Sequence, residues 1–403
     1  MNILFLSTRS PFPLVSGHSL RTYHILRGAA RNHEVTLVTF VQLEDEWKDR
    51  NLEHLRGFCK SVHPYRIPLD ESRWKLAGAA LMNVFSARPL VAWKYDAPAM
   101  RAKIREILRA EKIDLVHVDM LPLAVYIDEF RELPKLLVNH NCESVRLYRW
   151  FRAETNPARK AYLGLQWLKL RSFERWALNA FDCSVVVSEK DAEMVRGLGA
   201  EKRLFVVPNG TDTDYFRPGG GGERQSALVW IGHMDVHTNR DAVLYFWRDI
   251  YPGIRKRHPD VSISFVGTAP PDAIQRASLH DKRVRVTGFV EDIRPYLDAA
   301  AVMVVPVRIG SGTRLKILDG MSMGKAIVST PVGCEGLNVT DGTNIAIADG
   351  PDAFAQKTVE LLRNPDVRLR MGREARRVAE GYDWRRIVEE QERVYQRVLG
   401  GTL

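Results

Sequence analysis

Cysteine is scarce and scattered: Cys59, Cys142, Cys183 and Cys334 form no CxxC pair. Zinc-ribbon and thioredoxin-type chemistry therefore lack their ligand spacing, and the four thiols read as free and buried in a reducing cytosol. No apolar run reaches the roughly 18–20 residues that span a bilayer. The N-terminus MNILFLSTRS lacks a basic leader segment and its apolar run is short, so it reads as a buried strand and not as a signal peptide. The GxxxxGK[ST] spacing of a P-loop and the GxGxxG of a dinucleotide-binding fold are both missing, which disfavours an NTPase and a dehydrogenase. The chain is not disordered either, with 45% hydrophobic and 27% charged residues.

What is present is a repeated alternation of short apolar runs with helical patterns. The 403 residues are too many for one typical core and comfortable for two. Strands are predicted at Asn2–Ser7, Glu34–Val41, Asp114–Val118, Lys135–Asn139, Asp182–Val187 and Leu204–Pro208, with a helix over Ser19–Arg31. Their Val, Ile and Leu content suits strands buried on both faces, and the alternation argues for a parallel sheet wrapped by helices. Near Phe216 the pattern breaks at PGGGGE, a flexible composition. It restarts with strands at Ala227–Ile231, Val261–Val266, Val284–Thr287, Ala301–Pro306 and Ala326–Ser329 and a helix over Asn239–Arg257. The expected division is residues 1–216, a linker at 217–224, and a second α/β domain at 225–382. A C-terminal helix at 383–403 has an apolar stripe of Trp384, Ile387, Val388, Val394 and Val398, and either covers its own domain or returns to the first. The net charge of +10 suits nucleic acid, an anionic membrane surface or a phosphorylated substrate without choosing among them.

The most informative segment is Val304–Leu337, VVPVRIGSGTRLKILDGMSMGKAIVSTPVGCEGL. A strand ends at Pro306, a loop with Gly310 and Gly312 follows, and a helix is predicted from Thr313 to Met323. Arg308, Arg314 and Lys316 thus fall near the carboxyl end of a parallel strand and the N-terminus of a helix, a setting suited to a diphosphate. The plainer reading is that the cations solvate an exposed face.

This segment resembles the signature of retaining glycosyltransferases of the two-domain GT-B fold, in the large group called family four. The resemblance implies two Rossmann-like domains facing each other across a cleft, with the second binding a nucleotide sugar, UDP- or GDP-linked. It implies hexosyl transfer to an acceptor hydroxyl with retention, with no metal and no cofactor. Asp319 matches the second of the family's two acidic positions, the one that holds the ribose, and Gly312 falls where the first would be. Thr313 and Leu315 lie in the same GTRLKIL loop and helix start.

Other segments extend the resemblance over nearly the whole chain. VPNGTDTDYF at Val207–Phe216 looks like the family's turn before the linker and contributes Asn209; its Asp212-Thr213-Asp214 reads as part of that turn and not as a metal site. VWIGHMDVHTN at Val229–Asn239 looks like the first strand and loop of the donor domain, with Gly232, His233 and His237 as diphosphate or sugar contacts or as structural residues. In the first domain, PLVSGHSL at Pro13–Leu20 resembles the loop that approaches the diphosphate, so Ser16 and Gly17 are substrate-binding candidates. VNHNCES at Val138–Ser144 resembles the segment that brings a histidine to the reaction centre. His140 is the candidate, with Asn141 beside it, and the catalytic set is His140, Arg314 and Lys316.

Residues 146–176 interleave Arg146, Arg149, Arg152, Arg159, Lys160, Lys169, Arg171 and Arg175 with Tyr148, Trp150, Phe151, Tyr162, Trp167, Phe173 and Trp176. An amphipathic helix packing its aromatics inward, an interfacial membrane surface or lipid-phosphate acceptor site, and nucleic acid all fit that pattern. Residues 73–95 add a second apolar, weakly basic stretch. The function expected is a nucleotide-sugar-dependent glycosyltransferase of polysaccharide or glycolipid biosynthesis at the cell envelope. It is expected to be cytoplasmic or peripheral on the inner membrane face, with a sugar, lipid-linked or small-molecule acceptor and no nucleic acid partner. A sugar-nucleotide epimerase and a non-enzymatic two-domain binding protein are the alternatives.

Overall fold

The computed structural model describes residues 1–220, 222–310 and 312–400. Residue 221 of the expected linker, residue 311 of the GTRLKIL loop and residues 401–403 of the C-terminal stretch lie outside the described residues. The chain divides into two compact units, Met1–Pro208 with Arg385–Leu403, and Asn209–Trp384.

The first unit is built on β1 (Asn2–Ser7), β2 (Glu34–Val41), β3 (Ser61–Arg66), β4 (Leu115–Asp119), β5 (Lys135–Asn139), β6 (Cys183–Val186) and β7 (Arg203–Val206). All pair in parallel in the order β3-β2-β1-β4-β5-β6-β7. Ile3, Leu4, Phe5 and Leu6 of β1 are fully buried, as expected for a central strand covered by helices on both sides. The order reverses direction between β1 and β4, which is where an open parallel sheet leaves a crevice at the strand ends.

The second unit repeats the plan with β8 (Arg224–Ile231), β9 (Ser262–Val266), β10 (Val284–Val286), β11 (Ala300–Val305), β12 (Ala326–Ser329) and β13 (Ala346–Ile347). The order is β10-β9-β8-β11-β12-β13, again parallel, with its reversal between β8 and β11. The expected helix over Asn239–Arg257 is continuous but contains a π-helical turn at Phe246–Ile250.

The division falls at Pro208–Asn209 and not at residue 216. Thr211 Oγ1 donates to Asp319 Oδ1 at 2.8 Å and Thr213 bonds Asp383, so this turn belongs to the second unit. The glycine-rich segment is also held there: Gly219 N–H donates to Asp298, and Glu223 pairs with Arg368 at 2.6 Å. The C-terminal helix is Trp384–Val398. From Arg385 it packs on the first unit: Val388 fills the space a side chain at Gly28 would need, Tyr395 OH meets His117 Nδ1 at 2.8 Å, and Glu392 meets His33 at 2.7 Å.

Candidate active site

In the first unit, three elements converge at the β1/β4 reversal. The helix Gly17–Ala29 starts after β1; Ser16 caps it by accepting from Ser19 N–H at 3.1 Å, with the Ser19 hydroxyl returned to the Ser16 backbone. That places His18 in the first turn. Asp119 ends β4 and His140 follows β5. His140 Nε2 lies 2.7 Å from Asp119 Oδ1, and Thr22 Oγ1 donates to Asp119 Oδ2 at 2.5 Å. A carboxylate only accepts, so Nε2 carries the hydrogen and Nδ1 is the basic atom. Burial pushes the Asp119 carboxyl up, but the charge and hydrogen bond of His140 override it and hold the group far below the ordinary carboxylate range. The rings of His18 and His140 are 4.7 Å apart. Burial, with His140 adding to it, lowers His18 to about 3, so it is neutral at physiological pH. His18 Nε2 and both amide atoms of Asn139 are buried with no partner among the described residues, the kind of group that a ligand or water satisfies.

His18, Asp119 and His140 place one ligand atom each within 4.8 Å of one another, the group among the described residues with metal-ligand composition. Asp119 and His140 are already bonded to each other, and the geometry reads as a hydrogen-bonded dyad. The N-terminus of the helix Glu143–Ala153 is taken internally, since the Glu174 carboxylate accepts from Glu143 and Ser144 N–H at 2.8 and 2.9 Å.

In the second unit the β8/β11 reversal holds a different chemistry. The helix Leu315–Ser322 begins two residues later than the expected Thr313, with Arg314 as its cap. Lys316 Nζ donates to Ile231 O at 2.6 Å and to Asn239 Oδ1 at 3.1 Å, and lies 4.9 Å from the Trp230 ring centre. Burial, then the neighbouring Arg314, lowers the Lys316 ammonium to about 7. Among the described residues no carboxylate stands within ion-pair reach of it. Gly232 makes this approach possible: its φ is +152°, and a Cβ there would lie 2.8 Å from Lys316 Nζ. Asp319, one helical turn on from Leu315, accepts from Thr211, and burial pushes its carboxyl up to about 7.

The sequence-derived candidates separate in this frame. Gly232, Lys316 and Arg314 gather around Nζ, and a Cβ at Gly310, whose φ is +123°, would meet the Arg314 guanidinium at 2.6 Å. Thr313 Oγ1 in the same loop is buried without a partner among the described residues, Gly312 takes a φ of +81°, and Leu315 opens the helix. Arg308 does not join Lys316 by any contact. Its guanidinium forms a two-pronged pair with Asp241, at 2.7 and 3.2 Å, and lies 4.0 Å from the Tyr245 ring centre. His233 is exposed and bonds Thr268 Oγ1 through Nδ1 at 2.9 Å; its carbonyl accepts from Asn239. His237 is exposed at the first position of the helix His237–Tyr245, and Asn209 opens the turn that carries Thr211. In the first unit Asn141 follows His140 at the end of β5. Asp212 accepts from the N–H groups of Asp214 and Tyr215, a turn-capping role. Sequence reasoning missed Asp119, His18, Thr22, Thr211 and Asn239. An acid directly after the apolar run of β4 was the one readable signal for Asp119.

Comparison with known proteins agrees with this architecture. Residues 15–215 match the family profile "Glycosyltransferase Family 4" and residues 225–364 match "Glycosyl transferases group 1". A 44.6 kDa protein of the cps region of Klebsiella pneumoniae is 21% identical over 373 residues, covering 90% of this chain and 91% of that one. The phosphatidyl-myo-inositol mannosyltransferase of Mycobacterium tuberculosis is 26% identical over 207 residues, 48% of this chain and 54% of that protein. Among solved structures, sucrose-phosphate synthase from Thermosynechococcus elongatus superposes with a TM-score of 0.69 at 16% identity, covering all of both chains. Anabaena HepE in complex with UDP also gives 0.69, at 15% identity, covering 98% of this chain and 100% of that one. With its two parallel-sheet units and both profiles matched, the chain belongs to the group 1, family-four glycosyltransferases of the GT-B fold.

Proposed function

We propose that the chain moves a sugar from a nucleoside-diphosphate sugar, UDP- or GDP-linked, to an acceptor hydroxyl, with retention of configuration and without a metal. The observation that carries this reading is Lys316. A half-buried ammonium resting on two oxygens and an aromatic face, with no carboxylate in ion-pair reach among the described residues, is costly to maintain unless an anion completes it. In the reaction the C1–O bond to the diphosphate breaks and a C1–O bond to the acceptor forms. Negative charge grows on the leaving phosphate oxygen, which Lys316 and Arg314 stabilise, and the acceptor proton passes to that oxygen. Asp319 in its ionised form accepts from the ribose hydroxyls. His140, oriented by Asp119, offers Nδ1 to a hydroxyl of the donor sugar or acceptor.

The UDP complex of HepE supports a nucleotide-sugar donor, and the mannosyltransferase of phosphatidyl-myo-inositol supports an acceptor in the lipid and polysaccharide chemistry of the cell envelope. We further propose that the transfer runs on the cytoplasmic side. The test is a thermal-shift panel of UDP- and GDP-sugars followed by incubation of the stabilising donor with and without acceptor. Free nucleotide that appears with acceptor, together with glycosylated product, is expected. Conversion of the donor sugar in the absence of acceptor makes the chain an epimerase, and stabilisation without turnover makes it a binding protein.

A further inference from the structure

The helix Arg73–Asn83 in the first unit is built inside out. Trp74, Leu81, Met82 and Phe85 are 87%, 71%, 66% and 91% exposed. Positions 74, 78, 81 and 85 lie on one side of a helix that continues through Val84, whose backbone is still helical. Gly78, on that same side, has nothing within 4 Å of where its Cβ would be, so the stripe is open along its length. The helix is instead anchored through its polar end. Asn83 is fully buried; its amide donates to Arg88 O at 2.9 Å and accepts from Gln166 at 2.8 Å, while Lys169 Nζ donates to Asn83 O at 2.6 Å and to Val84 O at 3.1 Å. Soluble monomers tolerate single exposed apolar residues, but a row of them with two aromatics marks a surface that something covers.

The surroundings give that partner a charge. No acid occurs from Arg73 to Lys94, and Arg73 and Lys75 flank Trp74. Lys75 and Lys94 pair with Glu71 and Asp70, whereas Arg73 makes no ion pair among the described residues. Gln166 and Lys169, the anchors of Asn83, belong to the helix Pro157–Ala180. On that helix Leu168, 56% exposed, Arg171 and Arg175 lie on the side opposite Gln166, and Arg159 is exposed near the helix start. The one acid of that helix, Glu174, is turned inward to the N–H groups of Glu143 and Ser144. Exposed Trp and Phe on an acid-free stretch that opens with the exposed Arg73 is the composition of a surface that enters the interface of an anionic bilayer, with apolar side chains inserted and the guanidinium at the headgroups. No helix among the described residues is long and apolar enough to cross a membrane.

We propose that the first unit docks on an anionic lipid bilayer through Trp74, Leu81, Met82 and Phe85, with Arg73 meeting the headgroup phosphates. This surface is independent of the transfer reaction, and binding alone is its readout. The test is cosedimentation of the full chain with vesicles of phosphatidylcholine alone and of equal parts phosphatidylcholine and phosphatidylglycerol. Binding to the anionic vesicles, weakened by salt, is expected, and binding to phosphatidylcholine alone is expected to be much weaker. The Trp74→Glu/Phe85→Glu double variant should bind the anionic vesicles at least about tenfold more weakly, with an unchanged melting temperature because both side chains are exposed. A blue shift of tryptophan emission on vesicle addition should be lost in Trp74→Phe, which keeps the variant conservative. No binding to anionic vesicles at low salt, or equal binding by the double variant, overturns the proposal. A wild-type dimer that the double variant converts to monomer also overturns it, by making a second copy of the chain the occupant.

Discussion

The two units share a sheet plan and differ in how they leave charge at the point where strand order reverses. At β1/β4 the buried carboxylate of Asp119 is answered within its own unit by His140 and Thr22. At β8/β11 the charges are separated: Lys316 rests on neutral oxygens, and Asp319 is met by a single hydroxyl from Thr211. Burial moves the two titrations toward each other, Lys316 down and Asp319 up, each to about 7. In the first arrangement the acid has its partners within the unit. The second leaves Lys316 without an acid within ion-pair reach among the described residues, and under the proposed function a diphosphate and a ribose would complete it. The same topology thus carries a closed acid–histidine pair in one unit and separated charges in the other.

Breaking the second unit's arrangement should cost most. Lys316→Ala should lower kcat roughly 10²–10³-fold with the fold intact, as removal of one preorganised donor to a developing oxyanion does. Steady-state kinetics with circular dichroism as the folding control measures this, and near-normal turnover removes the phosphate role. Next, His140→Ala and Asp119→Asn should each lower kcat by about 10–100-fold, with the donor KM little changed. Equal loss of nucleotide affinity in both would make the dyad structural. Asp319→Asn should weaken nucleoside diphosphate binding about tenfold, since a charged acceptor to the ribose becomes a neutral one.

The pH dependence sharpens the contrast. A folded Asp319 at about 7, against roughly 3.9 unfolded, binds more protons than the unfolded chain between those values, so stability falls as pH rises through that window. A folded Lys316 at about 7, against roughly 10.4 unfolded, binds fewer, so stability rises with pH between 7 and that value. Nucleoside diphosphate affinity should peak near pH 7, where the acid limb belongs to Asp319 and the alkaline limb to Lys316. Asp319→Asn should flatten the acid limb alone; calorimetric titration across pH checks it. In the first unit Tyr395→Phe should cost about 1–3 kcal/mol of stability by leaving His117 Nδ1 buried without its hydroxyl, read as a lower melting temperature. Smallest of all, a chelator should leave the transfer rate unchanged.

Much of the fold was legible because central parallel strands have a strong signature. Asn2–Ser7, Glu34–Val41, Lys135–Asn139 and Ala326–Ser329 read correctly to the residue, being apolar runs buried on both faces. The strand SVHPYR at Ser61–Arg66 escaped notice, since an edge strand needs no apolar run and tolerates a proline. The two-residue β13 is too short to have a pattern. The candidate site was legible where a motif is local, as in the Gly310–Asp319 segment. Thr211 with Asp319, His140 with Asp119, and Arg308 with Asp241 are joined only by folding, across 108, 21 and 67 positions. Nothing in the spacing of Arg308 distinguishes a diphosphate ligand from the partner of an aspartate on the helix His237–Tyr245.

The central claim is that the second unit holds a diphosphate through a cation kept without a carboxylate. Calorimetric titration of UDP and GDP into wild-type and Lys316→Ala protein at pH 7 tests it most directly. The account predicts measurable binding of one nucleotide by the wild type and loss of that affinity in the variant. Unchanged affinity in Lys316→Ala would contradict it.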